Sequence, residues 1–578
     1  MNLLRTVGRA ESMRQLLIVA VLLASSASLY AQPAPPPKPM PPPRPAFAGI
    51  DDEDAPQSPL IAELKRKVQA GEKNATAAFW ESVAKHGTPL VEPMADAPHQ
   101  RLLTFLYRST TAKNVLVFGF PEAFAELQHL AGSDVWFHSY RVRDDARFPY
   151  SIVVDVPPGA RNFRAIGPLL RADPLSRRRL GPDRSVCELA DAPTQPLTSA
   201  VVDLPAGTVY AYRAKSQVLG NERSVYVYTP PGYKPNGVVY PLVVLFDGAG
   251  YLAGIPGHVI LDNLIAQKRI PPTVALFIDP VDRERELGMG DKFTDFVAIE
   301  LVPWVQQRYH ATADPRAIVV GGLSLGGLES SFAAFRHPEV FGNVLSQSGS
   351  YWWFNEGEDP ETLTRLYANA VKKPIRFYLE VGLFEGGAPG RPSMVVANRH
   401  LRDVLLAKGY AVTFSTFSGG HSEISWRGTF GDALAGLIGK AHPTKSATRK
   451  PNGDLTVKDT GQSLVAAVTR AASTSREAAL RAFKQLRDNK GFDADEPSIN
   501  QLGYQLLYQN NDALAAIAVF ADNVAHFPKS SNAYDSLGEA YMMAGDKPHA
   551  TTAYKQSLAL EPKNENAQAM LKLLGAAR

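Results

Sequence analysis

The stretch 321–335 reads GGLSLGGLESSFAAF, and its serine, Ser324, is held in a Gly-x-Ser-x-Gly pattern between the apolar run AIVV and a helix-like continuation. A serine hydroxyl is a weak nucleophile until a base takes its proton during attack. Strand, tight turn and helix together make this pattern a nucleophile elbow, in which the turn lifts the hydroxyl clear of a sheet. Gly322 and Gly326 flank the serine because a strained turn leaves no room for a Cβ against the neighbouring strand or helix. The backbone N–H of Leu325, at the helix start, can face a developing oxyanion.

The base is expected on the loop after the last strand, where VTFSTFSGGHSEISW offers His421 behind a pair of glycines. His337, just after the elbow helix, reads as structural. The acid falls between nucleophile and base in chain order. IRFYLEVGLFEGG supplies Glu385 just past a strand end and Glu380 inside the strand; Glu385 is the choice, Glu423 the alternative, and a Ser-His pair without a strong acid stays open. A second oxyanion N–H is expected from Gly248 or Ala249 in VVLFDGAGYLAG, with Asp247 fixing that loop.

The elements that must position these groups begin at about Val209. There VYVYTP, YPLVVLFDG, TVALFID, AIVVGG, NVLSQSG, IRFYLEVG and VTFSTFSGG alternate with amphipathic stretches such as MVVANRHLRDVLLAKG. That alternation implies a parallel sheet covered on both faces, and residues 196–442 read as the catalytic domain. Residues 56–195 carry short β-type runs separated by turns and read as a β-sandwich. Residues 443–460, polar and turn-rich, read as a linker. Residues 461–578 read as all-α: Ala516 and Ala550, Phe520 and Tyr554, and Pro528 and Pro562 recur at the 34-residue tetratricopeptide period.

At the N-terminus, Arg5, Arg9 and Arg14 precede LLIVAVLLA and small residues, the pattern of a signal peptide over residues 1–31. The apolar run is shorter than the roughly 20 residues a membrane span requires. Export to the periplasm or the exterior is expected, with no span after cleavage. Residues 32–55 are a proline-rich extended spacer. A net charge of +4, from 61 basic and 57 acidic residues, gives no ground for a nucleic-acid partner. Cys187 is the only cysteine, and H-E-x-x-H is absent, so neither an internal disulfide nor a metal or other cofactor is expected.

The segments GGLSLGGLESSFAAFRHPEVFGNVLSQSGSYWWF, VDRERELGMGDKF and GGHSEISWRG resemble the enterochelin esterase family. FLYR, NVLVFG, GSDVWFHSYRVRDDARFPYSI and the DPL at 173–175 resemble that family's immunoglobulin-like N-terminal domain. The resemblance implies an α/β-hydrolase that cleaves ester bonds, with Ser324, Glu385 and His421 at matching positions and a small-molecule ester, a catecholate-serine trilactone carrying iron, as substrate. It also implies a substrate contact for Arg283. Trp352 and Trp353 are candidates for the same cleft or for core packing. Leu323 and Leu325 in the elbow, Gly290, and Ser422 after the histidine depart from the pattern of the siderophore esterases. These departures leave a carbohydrate-acyl (feruloyl or acetyl) esterase as the alternative substrate reading. A non-enzymatic adaptor, binding a protein partner through its C-terminal repeats, is the competing function.

Overall fold

The computed structural model describes residues 58–574 apart from 120–123, 157–165, 167–168, 181–182, 387–392, 444–454 and 511. The signal peptide, the proline-rich spacer and most of the expected linker lie outside the described residues.

Alternation of side chains along each strand gives the central layer its two covered faces. In β11 (Leu242–Phe246), Leu242, Val244 and Phe246 join one apolar cluster while Val243 and Leu245 join another; β12 (Val274–Ile278) divides in the same way. Both strands are buried throughout, as continuous apolar runs in a helix-covered parallel sheet require. Each fully buried aliphatic side chain contributes roughly 1.5–3 kcal/mol of transfer free energy.

β13 (Ile318–Leu323), β14 (Asn343–Gln347), β15 (Arg376–Gly382) and β16 (Ala411–Phe417) extend the parallel sheet. Among the described residues the order is β16-β15-β14-β13-β11-β12-β10 (Asn221–Thr229)-β9 (Thr208–Ser216)-β17 (Leu455–Gln462), nine strands. Beyond β12, β10 and β9 run antiparallel. The outermost strand, β17, lies in the segment expected to be a linker. Its sequence LTVKDTGQ is polar because an edge strand pairs through its backbone and leaves much of its side-chain surface in water.

The N-terminal region also holds more than strands. Two helices, Pro59–Gln69 and Ala75–His86, precede the sheets and pack Ile61, Leu64, Trp80 and Val83 against Leu90, Leu106 and Val135. One antiparallel sheet contains β1 (Leu90–Pro93), β2 (Gln100–Arg108), β6 (Val135–Arg143) and β5 (Gln128–His129). The second contains β4 (Phe124–Glu126), β3 (Val115–Phe118), β7 (Arg147–Val154) and β8 (Ser185–Glu188). Leu103 and Phe105 of the first face Val117, Ile152 and Cys187 of the second across a shared core.

The C-terminal region is helical from Leu464 onward. Its helix Ala513–His526 recurs as Lys547–Leu560, and Ser531–Met543 recurs as Glu565–Leu573, with 34 residues between corresponding starts. The first helix, Leu464–Ala472, belongs as much to the central domain as to the tail. Ala466 enters the central apolar cluster, its carbonyl accepts from His258 Nε2 at 3.1 Å, and Arg470 pairs with the buried Asp262. With Nε2 donating, His258 Nδ1 has no partner, and burial pushes the ring down to about 3, so it stays neutral. Among the described residues no helix is long and apolar enough to cross a membrane.

Asp262 also accepts from Tyr228 Oη and Gly207 N–H, each at 2.8 Å, so it remains buried when its cation is removed. Arg470→Ala is expected to lower the free energy of unfolding by about 3 kcal/mol, read from the denaturant midpoint. An unchanged midpoint would show that this junction does not hold the tail to the sheet.

Candidate active site

Ser324 has φ 59° and ψ −121°, a backbone conformation that non-glycine residues rarely occupy. It follows β13 directly and begins the turn into the helix Leu325–Arg336. Four backbone contacts hold it: its N–H donates to Gln347 O at 2.9 Å, and its carbonyl accepts from Ser350 N–H at 3.0 Å and, closing the first turn, from Gly327 N–H at 3.1 Å and Leu328 N–H at 3.2 Å. A Cβ on Gly322 would sit 2.5 Å from the Gly326 carbonyl carbon, so that glycine is obligatory. At Gly326 the fit is only tight, 3.3 Å from Asp247 Oδ2. The second strict position is Gly327, where a Cβ would lie 2.6 Å from Ser346 Oγ and 3.0 Å from Gly349 Cα.

Parallel strands bring the other groups to the same end of the sheet. Glu385 follows β15 and His421 follows β16. His421 Nδ1 meets Glu385 Oε2 at 2.6 Å; facing a carboxylate, Nδ1 carries the proton and Nε2 is left as the acceptor. Glu385 Oε1 accepts from Ser348 Oγ at 2.6 Å and from Gly382 N–H at 2.9 Å, so both its oxygens are fixed. Trp426 donates from Nε1 to Ser348 Oγ at 2.9 Å and sets its ring edge-on to His421, centroids 4.8 Å apart. The Ser324 hydroxyl lies 3.4 Å from Ser350 Oγ and, among the described residues, makes no hydrogen bond to His421.

Of the other candidate acids, Glu423 turns away toward Arg184 of the N-terminal sandwich at 3.9 Å. Glu380 is fully buried within β15, receiving Gln347 Nε2 at 2.7 Å and the Thr429 hydroxyl. His337 pairs with Asp295 and Glu339, as a structural histidine would.

The oxyanion loop differs in detail from expectation. Asp247 takes a left-handed conformation, φ 56°, and a Cβ on Gly248 would lie 2.8 Å from Ile278 N. Ala249 N–H is committed to Asp279 Oδ1 at 2.7 Å, which leaves Gly248 as the donor available in this loop. Burial, with Asp247 close by, pushes the Asp279 carboxyl up to about 6 against the opposing pull of that N–H. Arg283 donates from Nε and Nη2 to the two Asp247 oxygens, each at 2.8 Å, so it pins the loop. Trp352 and Trp353 are half-buried, pack against the central core, and pair at 5.7 Å; Trp353 also lies against Gly288.

Sequence reasoning passed over Gln347, Ser348, Ser350 and Trp426. The signal lay in SQSGS, which spans the end of β14, and in the tryptophan five residues beyond His421. It also did not decide whether the N-terminal region reaches the cleft. The sandwich packs on both catalytic loops: Phe148 meets Phe384 edge-on at 5.6 Å, and Arg147 N–H donates to Ser418 O at 2.9 Å.

A strained serine between strand and helix, with a histidine-carboxylate pair beyond the following parallel strands, defines an esterase of the α/β-hydrolase type. Residues 216–437 match the family described as "Putative esterase", and residues 102–198 match "Enterochelin esterase, N-terminal". The chain is 29% identical to an iron(III) enterobactin esterase from Dickeya dadantii over 66% of this chain and 97% of that one. It is 30% identical to an iron(III) enterobactin esterase from Escherichia coli over 54% of this chain and 80% of that one. The structure of ferric enterobactin esterase from Salmonella typhimurium superposes with a TM-score of 0.52 at 29% identity, covering 62% of this chain and 98% of that one. The chain belongs to the enterochelin esterase family.

Ser348→Ala removes the hydroxyl donor to Glu385 Oε1 and leaves the Gly382 N–H in place. A hydrogen bond to a charged group is worth about 1.5–3 kcal/mol, so kcat on an aryl ester is expected to fall at least about tenfold with KM little changed, and Tm to drop because Trp426 Nε1–H also loses its acceptor. A wild-type kcat would show that Gly382 alone fixes the acid.

Proposed function

We propose that the protein is an exported serine ester hydrolase that opens the ester bonds of a catecholate siderophore trilactone. Ser324 Oγ attacks the acyl carbon while its proton passes to His421 Nε2. His421 then returns that proton to the leaving alkoxide, and water releases the acyl group by the same steps in reverse order. Glu385 keeps Nδ1 protonated and stabilises the imidazolium. Leu325 and Gly248 N–H groups receive the oxyanion. The observation that carries the reading is the 2.6 Å contact of His421 Nδ1 with Glu385 at the same sheet end as the strained Ser324. The 3.4 Å contact of Ser324 with Ser350 is a resting geometry, since catalytic hydrogen bonds commonly tighten only with substrate bound.

The substrate assignment rests on the relatives, whose names specify enterobactin. Arg283 and the Trp352–Trp353 pair would form its recognition surface, an aromatic wall beside a guanidinium already oriented by Asp247. The signal pattern supports export to the periplasm or the exterior. The N-terminal sandwich fits an immunoglobulin-like domain, and the 34-residue recurrence fits a tetratricopeptide-like stack whose outer repeats are open to a protein partner.

Ser324→Ala is expected to abolish hydrolysis of the trilactone, followed by mass spectrometry, and to abolish fluorophosphonate labelling, with Tm retained. Persistent turnover would remove the serine mechanism. Cleavage of feruloyl or acetyl polysaccharide esters without cleavage of the trilactone would replace the substrate reading and leave the mechanism standing.

A further inference from the structure

One buried carboxyl has no role in the triad and yet bonds to the residue that anchors the Ser324 peptide. Glu380 stands in β15 with no exposed surface, beneath the end of the sheet that carries Ser324, Glu385 and His421. Its Oε1 accepts from Gln347 Nε2 at 2.7 Å and from the Thr429 hydroxyl, and its Oε2 has no hydrogen-bond partner among the described residues. Gln347 is the residue whose backbone carbonyl accepts the Ser324 N–H. The Gln347 side chain is saturated: Nε2 also donates to Trp426 O at 3.0 Å, and Oε1 accepts from Tyr251 Oη at 2.9 Å. The Glu380 backbone carbonyl takes the N–H of Ser348, whose hydroxyl fixes Glu385. Through Gln347, Ser348 and Trp426, one polar layer thus supports nucleophile, acid and base.

We propose that Glu380 is a positioning residue for the nucleophile elbow, holding Gln347 as a neutral carboxylic acid. The inference rests on the serine mechanism proposed above for its effect on rate, and on geometry alone for its protonation. Oε1 behaves as a carbonyl oxygen with two donors, which leaves Oε2 to carry the proton. An unpaired buried hydroxyl costs about 1–3 kcal/mol, whereas an unpaired buried charge costs considerably more. The ionisable groups facing Glu380 do not offset a charge. Glu385 lies just beyond its own strand, Asp432 lies on the covering helix, Tyr251 approaches through Gln347, and Tyr378 precedes it on β15; none is a cation. Burial is the main cause that pushes this carboxyl up to about 7, with Glu385 and Asp432 adding to the rise and the Thr429 and Gln347 donors opposing it.

Above that pH a second negative charge forms behind Glu385. Glu380→Gln keeps a carbonyl acceptor for Gln347 and cannot ionise. In the full-length protein it is expected to retain most of the wild-type kcat at pH 6, where both side chains are neutral, and to depart from the wild-type kcat/KM profile for an aryl ester as pH rises through about 7. Glu380→Leu removes the acceptor and is expected to lose about tenfold or more in kcat at every pH. Stability supplies a readout independent of catalysis. A carboxyl raised from 4.5 to about 7 binds its proton more tightly in the folded state, so stability falls as pH rises through that window. This fall should be shallower in Glu380→Gln, and the infrared band of a buried protonated carboxyl should disappear. Superimposable pH–rate and pH–stability profiles for wild type and Glu380→Gln would overturn the proposal. If the wild type hydrolyses no ester while the carboxyl band and stability difference are present, the functional reading fails and the protonation of Glu380 stands.

Discussion

The architecture depends on one strained peptide. Ser324 is held at a positive φ that costs of order 1–3 kcal/mol, and its side chain's long contact, 3.4 Å to Ser350 Oγ, offsets little of that cost. The cost is met by β14, which takes the Ser324 N–H on Gln347, and by the segment after it, which returns Ser350 N–H to the Ser324 carbonyl. Glycines at 322 and 327 let those backbones meet. Because Leu323 and Gln347 are register partners, a slip of one residue between β13 and β14 would separate the elbow from its anchor and put Ser348 under the wrong strand. The parallel register fixes Ser324 and, through Ser348, Glu385.

The base has a different support. His421 sits on a loop that no strand beyond β16 confines, since β16 is the outer strand of the sheet. The N-terminal sandwich supplies the confinement, bonding Arg147 N–H to Ser418 and seating Phe148 on Phe384. Gly419 allows the approach, because a Cβ there would lie 2.8 Å from the Arg147 carbonyl. At the opposite edge, β17 and the helix Leu464–Ala472 cover β9 and place Arg470 on Asp262. The flanking domains are therefore parts of one packed structure, the sandwich bearing on the loops after β15 and β16 and β17 pairing the edge of β9.

The central strands were legible because their apolar runs are continuous and bounded by turn residues, and the elbow because its glycines have no other physical reason to be adjacent. His421 and Glu385 were legible from chain order once the sheet was assumed. β17 was not, because an edge strand needs only its backbone to pair and its side chains read as loop. The helices at 59–69 and 75–86 were hidden by the β-type runs that follow them. The polar layer of Gln347, Ser348, Thr429 and Trp426 was hidden for a deeper reason. A buried polar side chain is specified by partners distant in sequence, so its local context resembles that of a surface residue.

Arg283 shows how the same ambiguity affects recognition. An arginine near a hydrolase cleft reads as an anion contact, yet here its guanidinium forks onto Asp247, with the carboxylate side chain only 13% exposed. The pair is close to neutral as seen from outside, and its first effect is mechanical. It holds the left-handed Asp247 so that Gly248 N–H is presented at the start of a helix while Ala249 N–H is turned onto Asp279. A substrate that met only Arg283 would compete with Asp247 and loosen the oxyanion loop that its own hydrolysis requires. A contact that leaves this loop intact has to use the guanidinium edge that Asp247 does not occupy.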